Sequence, residues 1–329
     1  MTALPPILEA YFVERLVGQR NASPNTIAAY RDSFRLLLAF ANVRTGRAPS
    51  RLLLEDLDAT LVSAFLAHLE TERHVAVKTR NARLAAVHSF FSFAALRHPE
   101  HAALIARVLA IPAKRSPRPL VSHLTGGEID ALLVAPDLTT RIGRRDRALL
   151  LVAVRTGLRV SELAGLRRGD VAFGTGAHVS CTGKGRKQRS TPLSSDCAME
   201  LRAWMDECGG EVIDPVFPGP RGVQLTRDAV NRIVQRHAAQ AATSCPSLGR
   251  KTVSPHVLRH SCAMQLLDAG VDVAVIALWL GHESVRTTDI YQHADLAIKE
   301  RALARTAPSP AQARRYRPAD TLLAFLEGL

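Results

Sequence analysis

Residues 111–119 divide this chain. Pro112, Pro117 and Pro119 alternate there with Lys114, Arg115 and Arg118. Prolines exclude a continuous helix and the charges exclude burial, so an exposed linker is predicted. A chain broken in this way cannot fold round one core. Its 329 residues, 47% of them hydrophobic, are enough for one core on each side. Before the linker the pattern is helical throughout. Ser23-Pro24 caps a helix carrying Ile27, Tyr30, Phe34, Leu37 and Leu38; Asp58 precedes a second with Val62, Phe65, Leu66 and Leu69; a third holds Leu84, Val87, Phe90 and Phe91.

After the linker the period changes. Thr125 opens a helix through Leu133, and residues 146–155 form a buried one. Residues 171–173, 178–181 and 190–193 are short, β-prone and separated by glycine-rich turns, which predicts a three-stranded antiparallel sheet. Helices resume over 196–208, 227–241, 255–269, 272–280 and 285–293. The expected fold is mainly α with one small antiparallel sheet: a helical domain over 1–111, a linker over 112–119, a mixed α+β domain over 120–306 and a tail over 307–329.

Charge narrows the function. The chain holds 43 Lys+Arg against 30 Asp+Glu, a formal net charge of +13, and only six of the cations are lysines. Arginine's planar fork suits phosphate better than lysine's point charge, so a polyanionic partner is expected. The excess is shared almost equally, +7 over residues 1–118 and +6 over 119–329. Apolar runs such as 148–154, which stops at Arg155, fall far short of the ~20 residues of a membrane span. The N-terminus shows no basic n-region followed by an apolar h-region. Five cysteines without a CxxC pair argue against both a disulfide framework and a zinc site. A cytoplasmic, nucleoid-associated protein without membrane contact, metal or cofactor is the expectation.

Five separated pieces carry chemistry. In Thr156-Gly157-Leu158-Arg159-Val160-Ser161-Glu162, a buried helix ends, Gly157 turns the chain and Arg159 begins the next helix, where backbone N–H groups and a guanidinium together make an anion site. The hairpin Gly183-Lys184-Gly185-Arg186-Lys187-Gln188-Arg189 holds four cations at one turn. In Ser254-Pro255-His256-Val257-Leu258-Arg259-His260, Ser254 and Pro255 start a helix, and His256 and Arg259 share a face. Leu280-Gly281-His282 places a histidine just after a helix stop, and Tyr291 follows nine residues on. Each piece alone has an ordinary reading: an Arg159–Glu162 salt bridge, a solvated basic loop, a surface His/Arg pair, a packing tyrosine.

Taken in this order and spacing, the pieces resemble the tyrosine recombinase (phage integrase) family, in particular its compact Xer-like branch, over nearly the whole chain. Residues 23–31 and 79–84 resemble that family's helical core-binding, SAM-like domain. The resemblance implies that Tyr291 attacks a scissile phosphate of double-stranded DNA, forming a 3′-phosphotyrosyl link and freeing a 5′-hydroxyl. That hydroxyl, or one from a second duplex, reverses the step without ATP. Arg159 and Arg259 would clamp the non-bridging oxygens, which gain charge in the transition state. Lys184 would be the general acid, His256 the general base and His282 a further donor to the phosphate. Glu162 would support the site, and His260 would be a structural neighbour.

Asn25, Thr26, Lys78, Arg80 and Arg83 match core-binding positions that face DNA, and Arg186, Lys187 and Arg189 extend that surface along the hairpin. Arg141, Arg144, Arg145 and Arg147 form another cationic cluster, either DNA-facing or solvated. The family assembles as a tetramer on DNA, as one chain or with a related recombinase, with the two modules closing round the duplex. The apolar tail over 319–329 is expected to dock on a neighbouring subunit. An arginine-rich composition and this tail favour a mobile-element recombinase that integrates, excises or resolves DNA. Two other readings share the same motifs: an accessory DNA-binding protein acting through a recombinase partner, and a type IB topoisomerase-like enzyme.

Overall fold

A computed structural model describes residues 2–115, 122–182 and 188–281. The chain forms two compact units, residues 1–119 and 120–329. No helix among the described residues is long and apolar enough to cross a membrane.

The first unit is all helical. Helix α1 (Leu4–Ala10) runs into a π-helical segment, Tyr11–Gln19, followed by α2 (Pro24–Thr45), α3 (Ala59–Thr71), α4 (Val77–Ala95) and α5 (Ala102–Leu109). The helix starts are chemical. Ser23 Oγ accepts from the Thr26 amide at 3.2 Å, and Asp58 Oδ1 accepts from that of Leu61 at 2.7 Å, each relieving an orphan N–H at a cost of about 1 kcal/mol if lost. The helical segments at 4–19 and 102–109 were not singled out from the sequence, although apolar residues recur along them at helical spacing. The core is aromatic. Tyr11 packs edge-on to Phe90 at 5.5 Å, and Phe34 lies 5.3 Å from the same ring. Burial pushes the Tyr11 phenol up to about 12, and its hydroxyl lies 2.7 Å from Ser89 Oγ.

The second unit comprises α6 (Gly126–Val134), α7 (Arg141–Thr156), α8 (Val160–Gly165), strands β1 (Val171–Ala172), β2 (His178–Thr182) and β3 (Gln188–Pro192), then α9 (Ser195–Cys208), α10 (Arg227–Ala241), α11 (Pro255–Asp268) and α12 (Val273–Leu280). The sheet is antiparallel in the order β1-β2-β3. Helix α7 is central: residues 148–154 are all buried, packed among Leu132 of α6, Trp204 of α9, Val234 of α10 and Leu258 of α11. The helix expected over 285–293 lies outside the described residues.

The structure corrects the reading of the 141–147 cations. They belong to the first turns of α7, and three of the four are paired with acids rather than solvated or aimed at a ligand. Arg144 and Arg147 each lie 2.7 Å from a glutamate of α9, Glu207 and Glu200. Arg145 bonds Asp146, whose fully buried carboxylate also receives His237 and Arg236 of α10. Burial pushes the Asp146 carboxyl up, but its bonds to His237 and Arg145 outweigh burial and hold it below the ordinary carboxylate range. Charge here fastens α7 to its neighbours.

Candidate active site

Three chain reversals meet at one point. Helix α7 ends where Gly157 takes a left-handed conformation (φ +62°), its amide donating to Ala153 O at 3.1 Å. A Cβ at Gly157 would lie 2.6 Å from Leu280 Cδ2 and 3.2 Å from Cys262 Sγ, so this turn needs glycine for space as well as for φ. Leu158 is buried, and Arg159 follows in extended geometry as the N-cap of α8. Helix α12 ends at Gly281, again left-handed (φ +63°). Helix α11 starts at Ser254, whose Oγ accepts from the Val257 amide, with Pro255 in the first turn.

Two arginines tie these reversals together. Arg259 is 6% exposed; its Nη1 donates to Gly157 O and its Nη2 to Leu280 O, both at 2.6 Å. Arg159 Nη2 donates to Gly281 O at 2.8 Å. The carbonyls of residues 280 and 281 are orphans at the C-terminal end of α12, where the helix dipole favours cations. Capping them with two guanidinium groups therefore satisfies the helix and brings Arg159 and Arg259 to adjacent residues. Trp279 Nε1 adds a bond to Thr156 O at 3.2 Å.

Glu162 balances part of this charge. Its carboxylate accepts from the Arg159 amide (2.8 Å), Arg159 Nη1 (2.9 Å), Arg189 Nη1 (3.0 Å) and Arg189 Nη2 (2.8 Å). Burial pushes its pKa up; the Arg189 and Arg159 bonds outweigh that and hold it below the ordinary value. This carboxylate thus pairs with two guanidinium groups, Arg159 and Arg189, and with Arg259 nearby the surplus is positive. Cys181 on β2 lies within electrostatic reach of all four, and burial raises its thiol. A phosphodiester is the natural counter-ion for such a surplus. The Arg159 amide itself is taken by Glu162, so anion binding rests on the side-chain forks more than on the N-terminus of the short α8.

The remaining expected residues fall in different places. His256 is exposed on the first turn of α11, its ring 5.6 Å from that of the buried His260. Lys184, Arg186, Lys187, His282 and Tyr291 lie outside the described residues. In the first unit, Asn25 and Lys78 are exposed and Thr26 is half-buried at the start of α2. Arg80 departs from the DNA-facing expectation: it is 6% exposed, with Nη1 bonded to Asn81 Oδ1 (3.0 Å) and Pro112 O (3.1 Å). Arg83 is half-buried, its Nη1 donating to Ala29 O and Ser33 Oγ and so joining α4 to α2. Arg189 likewise turns inward to Glu162, and it is the residue whose part in the site the sequence reading missed.

Comparison with known proteins identifies the family. The phage integrase family model matches residues 122–297, and the model for the phage integrase N-terminal SAM-like domain matches residues 10–98. The chain belongs to the phage integrase family. It is 54% identical over 327 residues to "Putative integrase/recombinase y4rC" of Sinorhizobium fredii, covering 99% of this chain and 98% of that protein. It is 34% identical over 296 residues to tyrosine recombinase XerC of Pelobacter propionicus, covering 89% and 93%. Among solved structures, XerH recombinase bound to a palindromic difH substrate shares the fold, with a TM-score of 0.69, 24% identity and coverage of 87% and 81%. The activity class is accordingly that of a tyrosine-type site-specific recombinase, an enzyme that cleaves and rejoins DNA.

Proposed function

We propose that Arg159 and Arg259 clamp the scissile phosphate and that Tyr291 attacks it to give the 3′-phosphotyrosyl intermediate. The observation that carries this reading is the anchoring of both guanidinium groups to the carbonyls of residues 280 and 281. Forks fixed by backbone acceptors are pre-organised for a charge that grows in the transition state, so little reorganisation is needed during reaction. Because Gly281 immediately precedes His282, the same anchoring ties the clamp to the segment that carries His282 and Tyr291. His256, exposed one turn before Arg259, exchanges a proton with the nucleophile. Lys184 on the β2–β3 hairpin protonates the leaving 5′-oxygen. Glu162 holds Arg159, and His260 backs His256.

Asn25, Thr26 and Lys78 contact the duplex from the first unit, and Arg186 and Lys187 from the hairpin. Four subunits assemble on DNA, as identical chains or with a related recombinase, and residues 319–329 dock in trans. The natural setting is a mobile element.

The test starts from genomic fragments of the source organism trapped covalently on the protein and sequenced. A nicked duplex of the recovered site, run on a denaturing gel, should give a protein–DNA adduct with the unaltered chain and none with Tyr291→Phe. Binding without any adduct would instead identify an accessory protein. Truncation at Pro318 that left four-subunit synapsis intact would refute docking of the tail in trans.

A further inference from the structure

Arg189 stands in a hairpin of cations, and its position there suggests a phosphate contact. The strand register contradicts that. β3 begins at Gln188, two residues earlier than its β-prone sequence indicates, so Arg189 is a ladder residue paired with Cys181. Side chains alternate along a strand. Gln188, Ser190 and Pro192 are exposed, while Thr191, paired with Val179, is fully buried. Arg189 therefore shares the inward face with Thr191, and its side chain is only 12% exposed.

Inside, the guanidinium meets two things. Its Nη atoms form a two-pronged pair with Glu162. Its stem lies against Gly281: a Cβ there would come within 2.7 Å of Arg189 Nη1 and 3.0 Å of Cδ. Arg189 thus touches the carboxylate that orients Arg159 and the residue whose carbonyl Arg159 caps. With Arg189 present, Glu162 has a second cation and leaves Arg159 part of its charge. Without it, Glu162 would have Arg159 as its only ionic partner among the described residues, neutralising that guanidinium and drawing it away from a phosphate.

We propose that Arg189 is a positioning residue for strand cleavage: it shares the Glu162 carboxylate with Arg159 and packs on Gly281, coupling the β2–β3 hairpin to the end of α12 without contacting DNA. The inference rests on the reading of Arg159 as a phosphate clamp.

The experiment compares Arg189→Gln, Arg189→Lys, Glu162→Gln and the double variant Arg189→Gln/Glu162→Gln in the full chain. It measures the single-turnover rate of adduct formation on the nicked duplex and the affinity for the same DNA as a function of salt. Arg189→Gln should slow adduct formation by about tenfold to a hundredfold, the scale on which small misplacements act. Its DNA affinity and salt slope should remain those of the unaltered chain. Arg189→Lys should fall between, because a point charge cannot bridge both carboxylate oxygens. Adding Glu162→Gln to Arg189→Gln should recover part of the lost rate, since the unshared carboxylate is then gone. That recovery also separates positioning from a general loss of folding.

The proposal is overturned if Arg189→Gln weakens binding and lowers the log–log salt slope by about one, the mark of a lost phosphate contact. An unchanged adduct rate, or single-variant losses that simply multiply in the double variant, overturns it equally. No adduct from the unaltered chain would defeat the reading of the site itself, and this inference with it.

Discussion

Replacing Arg259 by lysine keeps the charge and removes the fork, so it separates the two things this side chain supplies. The fork spans from Gly157 O, just beyond α7, to Leu280 O at the end of α12, with both bonds at 2.6 Å and the residue 6% exposed. A lysine ammonium has no planar pair of donors, so at least one buried carbonyl loses a charge-assisted bond, worth about 1.5–3 kcal/mol. For a domain of this size that corresponds to a fall in melting temperature of about 3–12 °C. Catalysis should suffer more. A donor misaligned with the developing charge on the phosphate costs about 2.7–4 kcal/mol, or about 10²–10³ in rate. The assay is single-turnover adduct formation on the nicked duplex, read beside thermal unfolding of the same preparation. An Arg259→Lys enzyme that cleaves within about threefold of the unaltered chain would refute the argument, because charge alone would then suffice.

Three further outcomes follow from other parts of the structure. Gly157→Ala imposes a left-handed conformation on an L-residue, about 1–2 kcal/mol, and presses a methyl into the fully buried Leu280. Chemical denaturation should show a loss of about 2–5 kcal/mol, and a loss under about 0.5 kcal/mol would mean the turn is not so constrained. Burial raises the Glu128 carboxyl, but Lys251 and Ser247, both at 2.6 Å, and the Thr125 amide outweigh it and hold the group at about 2 against its ordinary 4.5. This depressed value stabilises the fold fully above pH about 4.5. The contribution fades as pH falls toward about 2, amounting to about 3 kcal/mol in urea-midpoint measurements, and Glu128→Gln should flatten the curve in that window. Asp146→Ala leaves Arg145 without its buried counter-charge and His237 without its hydrogen-bond partner, and should cost about 3–5 kcal/mol; an unfolding midpoint close to that of the unaltered chain would refute it.

Much of the site was legible before any coordinates because its parts are local. A glycine stop, an N-cap serine followed by proline, and a histidine and arginine one turn apart are short-range patterns. Gly157, Gly281 and α11 from Pro255 appear in the structure in the roles their neighbours in sequence imply. The helices holding Phe34, Phe65 and Phe90 were visible for the same reason: apolar residues recur with the period of a helix. The segments at 11–19 and 102–109 carry that period too, but neither was singled out from the sequence.

The sequence by itself determined which residue types are present and which run of chain carries each, including the change of period in the second half and the cationic excess. The tertiary structure alone decided which protein partners each of those cations meets. Arg80, Arg144, Arg147 and Arg189 look alike in a list of arginines, yet the fold sets each against a carbonyl or carboxylate. The reason is that an arginine's partners are contributed by distant residues: Glu162 lies 27 positions from Arg189, and Gly281 lies 122 from Arg159. Strand register, fixed by burial of Thr191 against Val179, turned Arg189 inward. Local pattern fixes conformation; long-range packing fixes where charge ends up.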